Sequence, residues 1–174
     1  MHTVILFRGG MFGDIILSML DKNYVRSIYP LKQQKERYRM KKFYLFTHQQ
    51  KIEYFKKMDG YTLSHDTDFC RTVDQDQVMQ IFCSDLSMME EIATRFWSRN
   101  PPEDVAHVEK DLALSETYTL ADDLTAWQNH HVFKNRFDVK NVYDVDFVDQ
   151  LEQHFEVKDV KWARSIHGIW LGNQ

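Results

Sequence analysis

Thr3-Val4-Ile5-Leu6-Phe7-Arg8-Gly9-Gly10-Met11-Phe12-Gly13-Asp14-Ile15-Ile16-Leu17 is the stretch on which the reading of the fold turns. Thr3 to Phe7 is a continuous run of β-branched and apolar residues, the pattern of a strand buried on both faces, and a central strand of a parallel sheet fits it best. Three glycines then interrupt the chain. Asp14 leads into the apolar segment Ile15 to Leu20, which reads as a helix with an acidic residue near its N-terminus. The order is therefore strand, glycine loop, helix.

The same logic extends along the chain. Residues 48–58 place Ile52, Phe55 and Met58 on one helical face. Tyr61 to His65 reads as a second strand after Gly60, with Asp66-Thr67-Asp68 as the loop that follows. Val78 to Cys83 is a clearer third strand. Ser84-Asp85 caps the amphipathic helix Leu86 to Trp97, which Pro101-Pro102 stops. Residues 119–137 read as another amphipathic helix with Leu120, Leu124, Trp127, His131 and Phe133 inward, and Lys140 to Tyr143 as a fourth short strand. Asp146 to Phe155 forms a helix on Phe147, Leu151 and Phe155. The segment Asp159 to Leu171, with Trp162, Ile166, Ile169 and Trp170 at helical spacing, docks on the body. Strands that lead into helices imply a single-domain open α/β sheet over residues 1–174, mostly parallel with flanking helices. A basic helical insertion at about 22–58 interrupts it.

Composition fits that outline. With 174 residues, 43% of them hydrophobic, 28% charged and 14% aromatic, the chain has the makeup of one globular domain. Cys70 and Cys83 are too few for a disulfide scaffold and lack paired zinc spacing, so buried structural thiols in a reducing compartment are expected. The short apolar run before Arg8 is neither a signal peptide nor a membrane span. A soluble, cytoplasmic protein without a membrane partner is the expectation. The formal net charge of −4 conceals an asymmetry: residues 22–57 hold eleven Lys and Arg against Glu36 and Glu53, a local balance of +9. Such a segment is either a solvated helical face or a surface for phosphates, nucleic acid or a protein.

Three constellations carry candidate chemistry. A glycine loop between a first strand and a helix brings backbone N–H groups close to an anion, and the helix N-terminus favours negative charge there. Arg8, Gly9, Gly10, Met11, Phe12 and Gly13 are accordingly the candidate phosphate-binding residues, although the loop is neither GxxxxGK[ST] nor GxGxxG. His65 lies among Ser64, Asp66, Thr67 and Asp68 at the end of a strand, where a histidine beside carboxylates can serve as general base. His65 and Asp66 are candidate catalytic residues; the alternative is a turn whose Asp and Ser side chains bond local backbone. His130-His131 points two ways on one helix and makes no joint site. The sequence has no GxSxG elbow, and Trp97, Trp127, Trp162 and Trp170 read as core.

Two resemblances follow from these motifs. ILFRGGMFGDIIL, residues 5–17, resembles the opening of heptosyltransferase-type glycosyltransferases, with Arg, four variable residues and Gly-Asp before an apolar helix. That likeness implies Asp14 as a candidate base. It also implies a donor nucleotide held by a second Rossmann domain, which 174 residues do not supply. Over more of the chain, the order VILFRGGMFGD, YTLSHDTDF, VMQIFCSDLSMMEEIATRF, NVYDVDFVDQLEQHF and IHGIWLGNQ is similar to small sulfotransferase-like proteins with a P-loop-type fold, often carried by bacteriophages. This likeness implies 3′-phosphoadenosine 5′-phosphosulfate, or a related nucleotide, bound at the first loop. The loop's usual basic and hydroxyl residues fall here at Met11, Phe12, Asp14 and Ile15, leaving Arg8 as the nearby cation. SRNPPED at 98–104 resembles the family's 3′-phosphate segment with Arg99 as candidate, but Arg99 ends a helix rather than a strand.

Together these readings lead to a sulfotransferase-like nucleotide-binding protein, transferring a sulfuryl or phosphoryl group to the hydroxyl of a small-molecule acceptor. His65 or Asp66 would take the proton, and Arg8, with the basic stretch Lys22 to Lys42, would neutralise charge. The alternative is a catalytically degenerate binding or regulatory module that contacts a host protein or nucleic acid through residues 22–57.

Overall fold

The structure is a computed structural model that describes residues 2–7, 11–22, 24, 47–57, 59–99 and 133–173. Within them, β1 (His2–Leu6), β2 (Gly60–Ser64), β3 (Val78–Phe82) and β4 (Asn135–Asp138) form one all-parallel sheet in the order β2-β1-β3-β4. The helices are α1 (Gly13–Leu20), α2 (His48–Lys56), α3 (Thr67–Thr72), α4 (Leu86–Arg99), α5 (Phe147–Glu152) and α6 (Val160–Leu171). The chain is an open α/β fold, as its sequence leads one to expect.

The central position of β1 follows from its side chains. Val4, Ile5 and Leu6 have no exposed surface, so both faces of the strand are covered, and a strand without a polar face is stable only with a neighbour on each side and a layer on each face. Its register is continuous: Leu6 pairs with Ser64 on one side and with Gln80 on the other. Gly60, with φ of 84°, turns the chain into β2 in the left-handed region that glycine tolerates.

The crossovers set the layers. From β1 the chain moves outward to β2, then returns past β1 to β3, so right-handed connections send α1 and α3 to opposite faces. One face carries α1, α5 and α6. There Phe137 meets Phe147 and Phe155, and the Trp162 indole of α6 donates to the Ser18 carbonyl of α1 at 2.9 Å. The other face carries α2 and α3, through His2 against Phe55 and Phe55 against Phe69. Buried His167 hydrogen-bonds through Nε2 to the Val142 carbonyl at 2.6 Å, tying α6 to the turn after β4.

Several elements differ from their sequence reading. Asn135–Asp138, which overlaps the end of the helix read over 119–137, is β4; Phe133 and Lys134 before it are not helical, and residues 119–132 lie outside the described residues. Local amphipathicity gave way there to pairing with β3, where Phe137 matches Ile81. Lys140 to Tyr143, read as a strand, is a turn in which the Val142 N–H donates to the Val139 carbonyl. Asp66-Thr67-Asp68 opens α3 instead of a loop, because the Asp66 carboxylate accepts from the Phe69 N–H at 2.9 Å and caps the helix. Asp14 stands in the first turn of α1, as read, and the cap position before it is Phe12. Ile169 is exposed, while Ile166 and Trp170 make the docking face of α6. Asp85 does cap α4, accepting from the Met88 N–H at 3.1 Å. No helix among the described residues is long and apolar enough to cross a membrane.

The edge-on packing of His2 against Phe55 has a measurable consequence. Burial depresses the His2 pKa below its ordinary 6.5, against an opposing pull from Asp59. An unfolded chain takes up that proton near pH 6.5 while the folded chain resists it, so stability falls as pH drops below 6.5. His2→Phe, which keeps a ring on Phe55, is expected to reduce that loss, as read from urea midpoints at about pH 7.5 and pH 5.5.

Candidate functional site

Open parallel sheets hold ligands beyond the carboxyl ends of their strands, where the strand order reverses. In the order β2-β1-β3-β4 that reversal lies between β1 and β3. Phe7 follows β1 and Met11 to Gly13 lead into α1 beside this point. Arg8, Gly9 and Gly10 between them lie outside the described residues, as do His130 and His131; the basic segment is described only at 22, 24 and 47–57.

The described part of the loop turns its side chains inward. Met11 is fully buried, and Phe12 packs edge-on against Tyr143 and Trp170. Phe12 is left-handed, with φ 59° and ψ 13°, a conformation that costs a bulky residue about 1–3 kcal/mol and that this aromatic packing holds in place. Gly13 is accounted for by Phe7: a Cβ there would lie 2.6 Å from the ring. What Met11, Phe12 and Gly13 can offer a ligand is therefore backbone. Phe12 makes no side-chain cap, so among the described residues the first N–H groups of α1 have no acceptor from the cap position. Asp14 sits in that turn, its carboxylate bonded by the Tyr24 hydroxyl and its carbonyl accepting from Ser18 Oγ at 2.8 Å.

Beside the loop, at the end of β2, His65 is exposed and its ring tilts against Phe7 with centroids 4.1 Å apart. Its Nδ1 lies 2.7 Å from the Phe7 carbonyl oxygen. A carbonyl only accepts, so Nδ1 carries the proton, and Nε2 is the basic nitrogen of the neutral ring. The backbone of β1 thus orients the histidine. Asp66 is engaged differently: one carboxylate oxygen caps α3 and the other pairs with Lys51 of α2, whose side chain is only 13% exposed. Burial pushes the Asp66 pKa up, and the Lys51 and Phe69 hydrogen bonds outweigh it, holding the carboxyl below its ordinary 3.8.

A second polar group at this edge carries no sequence motif. Ser84 Oγ donates to Asp138 at 2.5 Å, and the Ser84 and Lys140 N–H groups both donate to the same carboxylate at 3.1 Å. The pair joins the ends of β3 and β4 across 54 residues, and only the observed register brings it together. Cys70 and Cys83 are buried, and burial pushes their pKa values up to about 12 and about 11, so both stay thiols at neutral pH. Lys22 pairs with Asp159 at 2.5 Å, so two cations of the basic segment, Lys22 and Lys51, are committed to internal partners. The described residues hold no group of three His, Cys, Asp or Glu side chains suited to a metal ion.

The chain matches no protein-family model, curated protein or solved structure.

Two substitutions test the frame of the site. Gly13→Ala should lower stability by about 1–3 kcal/mol in urea unfolding, because the new methyl group overlaps the Phe7 ring. Asp66→Ala should cost about 2 kcal/mol, by losing the cap and leaving Lys51 without its carboxylate. Because Asp66 titrates below 3.8 when folded, its contribution is full above that pH and is lost as pH falls through the lowered value. The gap between wild type and Asp66→Asn should accordingly narrow in unfolding curves taken below about pH 3.8.

Proposed function

We propose that the carboxyl edge of the sheet, at residues 8–15, binds the phosphates of a nucleotide of the 3′-phosphoadenosine type. On this reading His65 acts as general base in the transfer of a sulfuryl or phosphoryl group to a hydroxyl acceptor. The observation that carries the proposal is the α1 N-terminus: it begins without a side-chain cap beyond the central strand, at the point where the strand order reverses, and His65 stands beside it. An anion there meets outward backbone N–H groups and a favourable helix dipole.

The chemistry then follows the geometry. With Nδ1 held by the Phe7 carbonyl, Nε2 accepts the proton of the acceptor hydroxyl. The acceptor oxygen forms its bond to sulfur or phosphorus as the bond to the nucleotide phosphate breaks, and the nucleotide leaves with the electron pair. Arg8 and the α1 N–H groups neutralise the leaving charge. Asp66, held ionised by Lys51, serves this site by fixing the turn that carries His65.

The test separates binding from chemistry. Thermal shift with adenosine 3′,5′-bisphosphate, ATP, ADP and UDP should give a selective rise in Tm with the bisphosphate, because ligand binding to the native state stabilises it. Arg8→Ala should abolish the shift. His65→Asn, whose amide can still donate to Phe7, should keep the shift and lower transfer about 100-fold or more. No shift with any of the four nucleotides sinks the reading.

A further inference from the structure

Asp59-Gly60 is the chain's one pairing of an aspartate or asparagine with a following glycine. It stands at the entrance to β2, where Gly60 is paired with His2 in the ladder. The Gly60 N–H donates to Oδ1 of the Asp59 carboxyl at 2.9 Å, so this peptide nitrogen lies against the side chain of its own predecessor. The carboxyl carbon is one bond beyond that oxygen. An intramolecular step is fast when the reacting atoms are held about 3–3.5 Å apart. Other carboxylates of the fold are turned away from the next peptide nitrogen: Asp66, Asp74 and Asp138 accept from N–H groups two or three residues further on.

The nitrogen is also open to reaction. Asp59 is exposed, and a Cβ on Gly60 would meet nothing within 4 Å, so neither water nor a moving carboxyl is shut out. The φ of 84° at residue 60 disfavours any side chain that would shield the nitrogen. The conformation that turns the chain into β2 thus leaves Asp59 unprotected against its own backbone.

We infer that Asp59-Gly60 is a site of spontaneous covalent modification, at which the folded chain converts aspartate to isoaspartate through a cyclic imide. The Gly60 nitrogen bonds to Cγ of the protonated Asp59 carboxyl, the Cγ–OH bond breaks, and the hydroxyl leaves with the N–H proton as water. Water then opens the five-membered imide. Addition at Cγ restores aspartate; addition at the main-chain carbonyl carbon of Asp59 breaks its bond to nitrogen and leaves the chain running through Cβ and Cγ. The Gly60 N–H, the chain's amino terminus and Lys158 hold the Asp59 pKa below its ordinary 3.8, so the protonated carboxyl is scarce at neutral pH and the change is slow there. The product has a main chain one atom longer directly before the pairing of Gly60 with His2. Among the described residues β2 is an edge strand bonded to β1 alone, so nothing on its far side holds the altered strand in register.

Storage of the full chain at mildly acidic pH and body temperature for several weeks tests the inference. Trypsin releases residues 58–71, which contain Asp59, Asp66 and Asp68, and electron-transfer fragmentation tells isoaspartate from aspartate at each. Isoaspartate should accumulate at Asp59 and not at Asp66 or Asp68. It should form in the folded chain at least as fast as in the isolated 58–71 peptide, which has no fold to hold the nitrogen against the carboxyl. The Tm of the stored protein should fall as the product accumulates. Asp59→Glu, whose carboxyl would have to close a larger ring, should form no such product and keep its Tm. Asp59→Asn, which keeps the side-chain shape and releases ammonia in place of water, should convert faster than wild type. An Asp59 that converts in the peptide but stays intact in the folded chain overturns the inference, as does conversion spread equally over Asp66 and Asp68. An Asp59→Asn chain that does not convert shows that the fold holds the two groups apart, and overturns it as well. A Tm that falls equally in Asp59→Glu removes the consequence drawn for β2.

Discussion

The close approach of the Phe7 ring to the bare α-carbon of Gly13 is the constraint on which the carboxyl edge depends. A ring at van der Waals contact with backbone fixes how far the chain travels after β1 before α1 begins, and at what angle the helix leaves. With that turn fixed, Met11 drops into the core and Phe12 is driven into a left-handed conformation that its contacts with Tyr143 and Trp170 sustain. The same Phe7 supplies the ring against which His65 rests and the carbonyl that sets its tautomer. One aromatic side chain and its own peptide oxygen thus couple the helix start to the candidate base.

The strand-loop-helix opening was legible because β1 is extreme: a strand with no polar face has few places to go, and Val4 to Leu6 are buried as their run implies. The cap at Asp85 and the core faces of α5 and α6 were legible for the same reason, since each is a local signal that tertiary structure left in place. Asn135–Asp138 was hidden because its strand character resides in its partners. Neither Asn135 nor Arg136 nor Asp138 favours a strand by itself, and pairing with Met79 to Phe82 decides the matter. Asp66 was read both for its charge and as a side chain bonding local backbone; the second is what is seen, as the cap of a helix too short to announce itself by periodicity.

At the candidate site the sequence conveyed identities better than arrangements. His65 stands beside the loop as its position at the end of β2 suggested, yet its link to Phe7 joins residues 58 apart and has no sequence signature. Ser84 with Asp138, and Gln80 with Arg136, are likewise products of register. A glutamine in VMQIF can be noticed in the sequence, but that its amide has no partner among the described residues is a property of the folded sheet. Gly13 likewise has a reason to be glycine that no motif conveys: the space above its α-carbon is filled by the protein's own Phe7 ring.

The order β2-β1-β3 also governs how the protein is made. Val4 finds one neighbour at Thr62 and the other at Val78, so the most apolar strand leaves the ribosome before either partner exists. At about 5–20 residues per second, the 58 residues from Ile5 to Thr62 take roughly 3–12 s to synthesise. During that interval Thr3 to Phe7 is a sticky segment with no sheet to enter. The strand that holds the finished molecule together is thus, on the nascent chain, the one most in need of a chaperone.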